Sequence, residues 1–304
     1  MTKKLFLFLT LVIIVCGCNL PGQKKEPKIS LYHTKTGTKD ELPLEEYLAG
    51  VVAGEMLPNW PKEAYAAQAI LARTFTLEFI ERGGTKAKYG TDLSDDITET
   101  QAYNKDAVTE EIRNAVKETR GLVAKYNNKY IKAWFHAFSG GETTTAKTGL
   151  SYSEAEPGYI KVVKDPGQNY APPEDRNWTA SYTFSEISKL LSEKGLANFA
   201  VEKVEATQKN SQGRVTEFAV SGEGQTKKIP GPEFRIALDS TKLKSIWIEN
   251  IDQTTTEVTF KGKGYGHGVG MSQWGAYALA EQGKTAKEIV KYFFPDVTLT
   301  KVYQ

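Results

Sequence analysis

A carboxylate at position 55 falls where a helix should be apolar. In the stretch that ends "LAGVVAGEM", Leu44, Leu48, Val51 and Val52 recur at spacings of three and four, which marks one helical face. Glu55 follows Val51 by four and Leu48 by seven, on the same stripe, whereas a solvated glutamate belongs on the opposite face. Burial disfavours the ionised form and raises the pKa, which prepares an acid to donate a proton near neutral pH. A buried glutamate paired with Arg73 or with a backbone amide meets the same pattern, and position alone does not separate the two.

Two histidines stand in suggestive places. His267 sits in "GKGYGHGVGMSQWG" with glycine on both sides, so little side-chain bulk shields it. This segment matches neither G-x-G-x-x-G nor G-x-S-x-G: the frames opened by Gly262, Gly264 and Gly266 end on His267, Val269 and Met271, and Trp274 fills the last glycine position after Ser272. What remains is a glycine-dense turn feeding a helix start, where backbone can approach a ligand closely; a tight turn with a hydrogen-bonded histidine is the equal alternative. His136 closes an expected strand before "FSGGETT", and on its own reads more simply as a satisfied core histidine. Two histidines without H-E-x-x-H do not make a structural zinc site, so no metal and no cofactor is expected.

The elements that must position these groups follow from periodicity and punctuation. "ISLYHTKTG" reads as an opening strand, followed by a helix over Leu44 to Met56, ended by Pro58. A second, alanine-rich helix starts at Pro61 and closes at Gly83–Gly84. "KYGTDLSDDITETQAYNKD" is turn-rich and reads as a loop lying over something. A helix over Val108 to Thr119 leads into a hairpin around Asn127–Asn128 whose second strand runs to His136. After an irregular stretch over Ser139 to Asn177 come a helix near Ser185–Lys194, strands that include "RVTEFAVSG" and "TEVTFKG", a helix opening at Ser272, and a final helix in "TAKEIVKYFF". Helices and strands come in blocks and do not alternate strictly, which predicts an α+β fold of helices packed with antiparallel strands.

Composition is that of a folded protein, 40% hydrophobic and 25% charged over 304 residues. Lys3 and Lys4 precede an apolar run from Leu5 to Val15, too short to span a bilayer and suited to a secretion signal. The run ends in "VCGC", which holds both cysteines and resembles a bacterial lipobox, with small Gly17 before Cys18. The expected organisation is a signal peptide over 1–17, a lipidated tether and opening segment over 18–41, and one domain over 42–304. Cys18 would carry the lipid and hold the protein outside the cytoplasm on the cell membrane. Once Lys3 and Lys4 leave, 39 − 2 = 37 basic side chains face 37 acidic ones; that balance and the lack of a basic tract argue against a nucleic-acid partner.

The segments "LPLEEYLAGVVAGEM", "EAYAAQAILARTF", "FHAFSGGET" and "GYGHGVGMSQWGAYALAEQGKTAKEIVKYFF" together resemble the stage II sporulation protein D family, the SpoIID/LytB-type domain, from about Leu42 onward. The resemblance implies a peptidoglycan lytic transglycosylase that acts on glycan strands and leaves anhydromuramyl ends. It implies Glu55 as the catalytic acid, and His136, Ser139, His267, Ser272 and Gln273 as substrate-binding residues, with Arg73 among them. Trp274 is open to either sugar stacking or a core role. LytB-type relatives imply an alternative, a non-catalytic glycan-binding lipoprotein that recruits or enhances a cell-wall amidase. Some relatives carry cysteines and histidines near "FHAFSGG" that could hold zinc; Phe138 and Gly140 stand here instead. Both glycine-flanked loops are expected to converge on Glu55 in one groove.

Overall fold

The computed structural model describes residues 24–304; Cys16, Cys18 and the apolar run lie outside the described residues. Strand Lys28–Tyr32 pairs antiparallel with Lys39–Pro43 and feeds helix α1, Leu44–Glu55. Helix α1 is buried on almost every side, at Leu44, Glu45, Tyr47 and continuously through Val52. The expected single apolar stripe is therefore part of a helix packed all round. Helix α2, Lys62–Glu81, takes Pro61 as its cap and buries a run of alanines, small enough to let α1 approach closely. A buried ion pair ties the two helices together: Arg73 Nη2 and Nε reach Glu45 Oε2 and Oε1 at 2.6 and 2.9 Å.

The turn-rich segment does lie over something. It contributes strand Leu93–Ser94, parallel to Lys28–Tyr32, and then crosses α1. The helix Glu110–Glu118, capped by Thr109, leads to Leu122–Tyr126, which pairs with Lys129–Tyr130 around Asn127 and Asn128 at positive φ. This hairpin is shorter than expected. Its second strand stops at Tyr130, and Phe135–His136 pairs instead, in parallel, with Met271–Ser272. Strand Thr298–Lys301 takes the other edge of Leu122–Tyr126.

A second core lies within residues 178–260, with Phe218, Phe234 and Phe260 stacked or edge-on at its centre. Two three-stranded antiparallel sheets surround it, one of Lys203–Lys209, Val215–Gly222 and Gln225–Pro230, the other of Trp178–Thr183, Glu257–Gly262 and Ile248–Gln253. Helices Phe184–Glu193 and Gly231–Ala237 complete it. The chain then returns to the first core through helices Gln273–Glu281 and Ala286–Phe293. The fold is α+β, and no helix among the described residues is long and apolar enough to cross a membrane.

Candidate active site

Glu55 is the last residue of α1, and the chain turns away through extended Met56. The helix offers a glycine face here: a Cβ at Gly50 would stand 2.3 Å from the Tyr103 ring, and one at Gly54 2.8 Å from the Ala102 carbonyl carbon. Without those side chains the segment Gln101–Tyr103 lies directly on the helix. The Tyr103 ring stacks on Tyr47 at 5.4 Å, and the Ala102 N–H donates to Glu55 Oε1 at 2.7 Å. Burial pushes the Glu55 carboxyl above its ordinary range, and the Ala102 amide offsets part of that shift. No cationic side chain among the described residues pairs with it, so the alternative partner considered for it, Arg73, belongs to Glu45.

Glu55 lines a cleft of about 360 Å³. Its near wall combines Trp60, from the turn between α1 and α2, with Gln273 and Trp274 at the start of the Gln273–Glu281 helix. The Gln273 side-chain amide donates to the Glu55 backbone carbonyl at 3.1 Å, and the Trp60 and Trp274 rings lie 4.5 Å apart. Glu174, Asp175, Lys244 and Tyr265 also line the cleft. Lys244 Nζ bonds Asp175 Oδ1 at 2.7 Å and the Glu174 carbonyl at 3.1 Å, and sits 5.1 Å over the Tyr265 ring. Ala137 and Tyr265 bring both glycine-flanked loops to the cleft.

Several side chains expected to touch substrate are spent elsewhere. Arg73 is fully buried in a network that also holds the Tyr303 hydroxyl and the Gly121 N–H on Glu45, so it is a core residue and not part of the cleft. The Ser272 hydroxyl, also fully buried, accepts from the Gly275 N–H at 3.1 Å as a helix cap. Ser139 donates its hydroxyl to Asp165 Oδ2 at 2.6 Å; Asp165 Oδ1 in turn accepts from the Gly167 N–H at 2.9 Å. A Cβ on Gly167 would meet the Trp274 carbonyl carbon at 2.6 Å, so this chain of contacts seats the turn Pro166–Asn169 against the helix that carries Gln273. Ser139 therefore supports the Gln273 helix from behind.

His136 and His267 lie with ring centroids 5.4 Å apart and do not line the cleft. His136 Nδ1 meets the Val269 carbonyl at 3.2 Å, and His267 Nδ1 accepts from the Val269 N–H at 3.0 Å. Burial and the neighbouring His267 and Arg214 hold the His136 pKa well below its ordinary value. Burial and Arg235 bring His267 down to about 3. In both, the surroundings favour the neutral imidazole over the charged form. Of the residues expected to bind substrate, Gln273 alone lines the cleft with Glu55.

The sequence reading missed Trp60, Asp175, Lys244 and Tyr265. Trp60 had a local signal, standing between Pro58 and Pro61 directly after the acid-bearing helix. Asp175 and Lys244 had none: each lies in a segment without hydrophobic period, and only the tertiary fold joins them. Among the described residues no three His, Cys, Asp or Glu side chains converge as a metal site would require.

Comparison with known proteins adds an independent line. A family model described as stage II sporulation protein matches residues 32–126, which include α1 and α2, and a domain of unknown function (DUF8618) matches residues 152–270. The chain is 34% identical over 266 residues to an uncharacterized protein of Brachyspira hyodysenteriae, covering 86% of this chain and 67% of that one. It is 32% identical over 286 residues to stage II sporulation protein D of Bacillus subtilis, covering 90% and 79%. An amidase enhancer of Bacillus subtilis is 28% identical over 296 residues, covering 83% of this chain and 40% of that one.

Proposed function

Because the chain belongs to the stage II sporulation protein D family, we propose that it is a peptidoglycan lytic transglycosylase with Glu55 as the acid and then the base. A cell-wall-related role comes with the family. The finer reading rests on one observation: a half-buried carboxyl whose pKa burial raises, lining a cleft with one amide contact and, among the described residues, no cation paired with it. Such a group keeps its proton to higher pH than an ordinary glutamate and can deliver it.

Glu55 protonates the glycosidic oxygen that leaves the muramyl ring, and the bond between that oxygen and the anomeric carbon breaks with its electron pair on the oxygen. The carboxylate left behind faces the positive charge developing on the sugar. It then takes the proton of the muramyl ring's own primary hydroxyl, whose oxygen closes on the anomeric carbon. Glu55 is protonated again, and the product carries an anhydromuramyl end. A hydrolase would need a second carboxylate to activate water or to attack the sugar. Asp175 is the buried candidate lining the cleft, and it is committed to Lys244 at 2.7 Å. One acid serving both steps fits these constraints better.

The likeness to an amidase enhancer favours a second reading, in which the same cleft holds glycan without cutting it and the protein recruits or stimulates a cell-wall amidase. Purified glycan strands separate the two: the enzyme produces anhydromuramyl ends from them, and the binding protein retains them intact. On either reading we place the protein outside the cytoplasm, held at the membrane by a lipid on Cys18, with glycan strands as its partner. Cys18→Ser should then release it from the membrane fraction or leave it unprocessed, and unchanged membrane retention of correctly cleaved protein would argue against the anchor.

A further inference from the structure

A second cavity adjoins the Glu55 cleft. It has a volume of about 540 Å³ and shares Leu57, Trp60 and Trp274 with the cleft wall. Tyr170 and Tyr277 complete its bed. Three segments remote in sequence supply these rings: the turn between α1 and α2, the residue after the Pro166–Asn169 turn, and the Gln273–Glu281 helix. They form one chain of contacts, with centroids 4.5 Å apart for Trp60–Trp274, 5.4 Å for Trp274–Tyr277 and 5.2 Å for Tyr277–Tyr170.

Trp60 is buried as part of the first core, Trp274 and Tyr277 pack against that core partly buried, and the bed opens to solvent toward Tyr170. Tyr170 is 39% exposed and Leu57 at the rim 54%, so the bed leaves apolar surface in water, where it has a standing cost. Among the described residues lining this cavity none is charged, in contrast to the Glu174, Asp175 and Lys244 wall of the cleft beside it. A ligand for such a surface is uncharged, with flat apolar C–H faces for ring stacking and polar groups at its edge for Asn59 and the tyrosine hydroxyls. A pyranose ring has that chemistry. The free carboxylates and amines of a peptide would find no counter-charge here.

We infer that the Trp60–Trp274–Tyr277–Tyr170 bed is a second sugar subsite, which grips an N-acetylglucosamine ring of the glycan strand, the sugar that carries no carboxylate, beyond the linkage facing Glu55. The inference rests on the glycan reading above and adds that strand length is sensed there. The continuity of the two cavities through Trp60 and Trp274 gives one path for one polymer.

The test uses full-length protein carrying Glu55→Gln, so that nothing is cut, titrated with denuded glycan strands and with β-1,4-linked N-acetylglucosamine trimers and octamers. Indole fluorescence, to which all five tryptophans contribute, reports binding. Adding Tyr170→Ala should weaken strand and octamer binding roughly 3- to 10-fold, the scale of one lost aromatic contact, and leave trimer binding unchanged. Tyr170→Phe, which keeps the ring and loses only the hydroxyl, should bind strands more tightly than Tyr170→Ala. Strands bound equally well with and without Tyr170→Ala overturn the subsite and leave the functional reading standing. Equal losses from Tyr170→Ala and Tyr170→Phe overturn the stacking. Strands bound by neither protein overturn both the subsite and the glycan reading.

Discussion

The side-chain amide of Gln273 holds the backbone carbonyl of Glu55 at 3.1 Å, joining the last residue of α1 to the first residue of a helix near the other end of the chain. The bond satisfies a carbonyl that the helix end would otherwise leave open, and it fixes where the Glu55 side chain starts. Gln273→Ala should therefore behave as a positioning variant. One hydrogen bond contributes about 0.5–1.5 kcal/mol, so a small fall in melting temperature and a roughly tenfold fall in turnover are expected. Full activity in the variant would remove Gln273 from the account.

Gly54 makes the other contact of Glu55 possible. Gly54→Ala places a methyl 2.8 Å from the Ala102 carbonyl carbon, so the backbone of that segment must move and its N–H leaves Glu55. Crowding of this kind costs about 1–3 kcal/mol, partly offset by the better helix propensity of alanine. Because the Ala102 amide is what lowers the Glu55 pKa against burial, its loss should move the acid's kinetic pKa further up. A pH–rate profile of the variant unchanged from the parent would show that Ala102 does not tune the acid.

Ionising Glu55 should cost stability. Its folded pKa lies above the unfolded one, so its favourable contribution is complete below the unfolded value and is lost as pH rises through the folded value. Glu55→Gln has no charge to bury, and should gain stability relative to the parent as pH rises across that interval. Thermal melts of the two proteins from mildly acidic to neutral pH measure this. Parallel curves would show that Glu55 is solvated, not buried.

Arg73 and Glu45 make the opposite case. Burial alone would raise the Glu45 carboxyl, but the charge and hydrogen bonds of Arg73, with Tyr303 and Gly121, bring it net below its ordinary value. That contribution is present above the unfolded pKa and is lost as pH falls through the folded one. Arg73→Met would leave Glu45 buried without its cation, at a cost of about 3–5 kcal/mol near neutral pH. The deficit should shrink in acid, where Glu45 takes up a proton, and in the double variant Glu45→Gln/Arg73→Met. Denaturant titrations at two pH values test both arms, and a deficit independent of pH would contradict the pairing.

These sites show what was legible in the sequence and what was not. Helix α1 and its acid were readable because apolar spacing and flanking prolines are local signals. The same spacing could not choose which acid Arg73 takes. Glu45 and Glu55 lie ten residues apart, about 80° from one another around a helix of 3.6 residues per turn; Glu45 is buried within α1, whereas Glu55, at the helix end, is half-buried and lines the cleft. Ser139 and Ser272 stand beside glycines in the same motifs as Gln273, and a sequence does not tell a hydroxyl that faces a cavity from one that caps a turn. Asp175 and Lys244 were invisible for a different reason. Lys244 meets Asp175 across 69 residues of sequence, and no periodicity encodes that contact.

The central claim is that Glu55 alone moves the proton in both halves of a glycan-cleaving reaction. Mass spectrometry of denuded glycan strands incubated with purified wild-type protein, and with Glu55→Gln protein shown to be folded, tests it directly. New anhydromuramyl ends are expected from the wild type, and a yield lower by orders of magnitude from the variant. Equal yields from both proteins, or reducing ends in place of anhydro ends from the wild type, would contradict it.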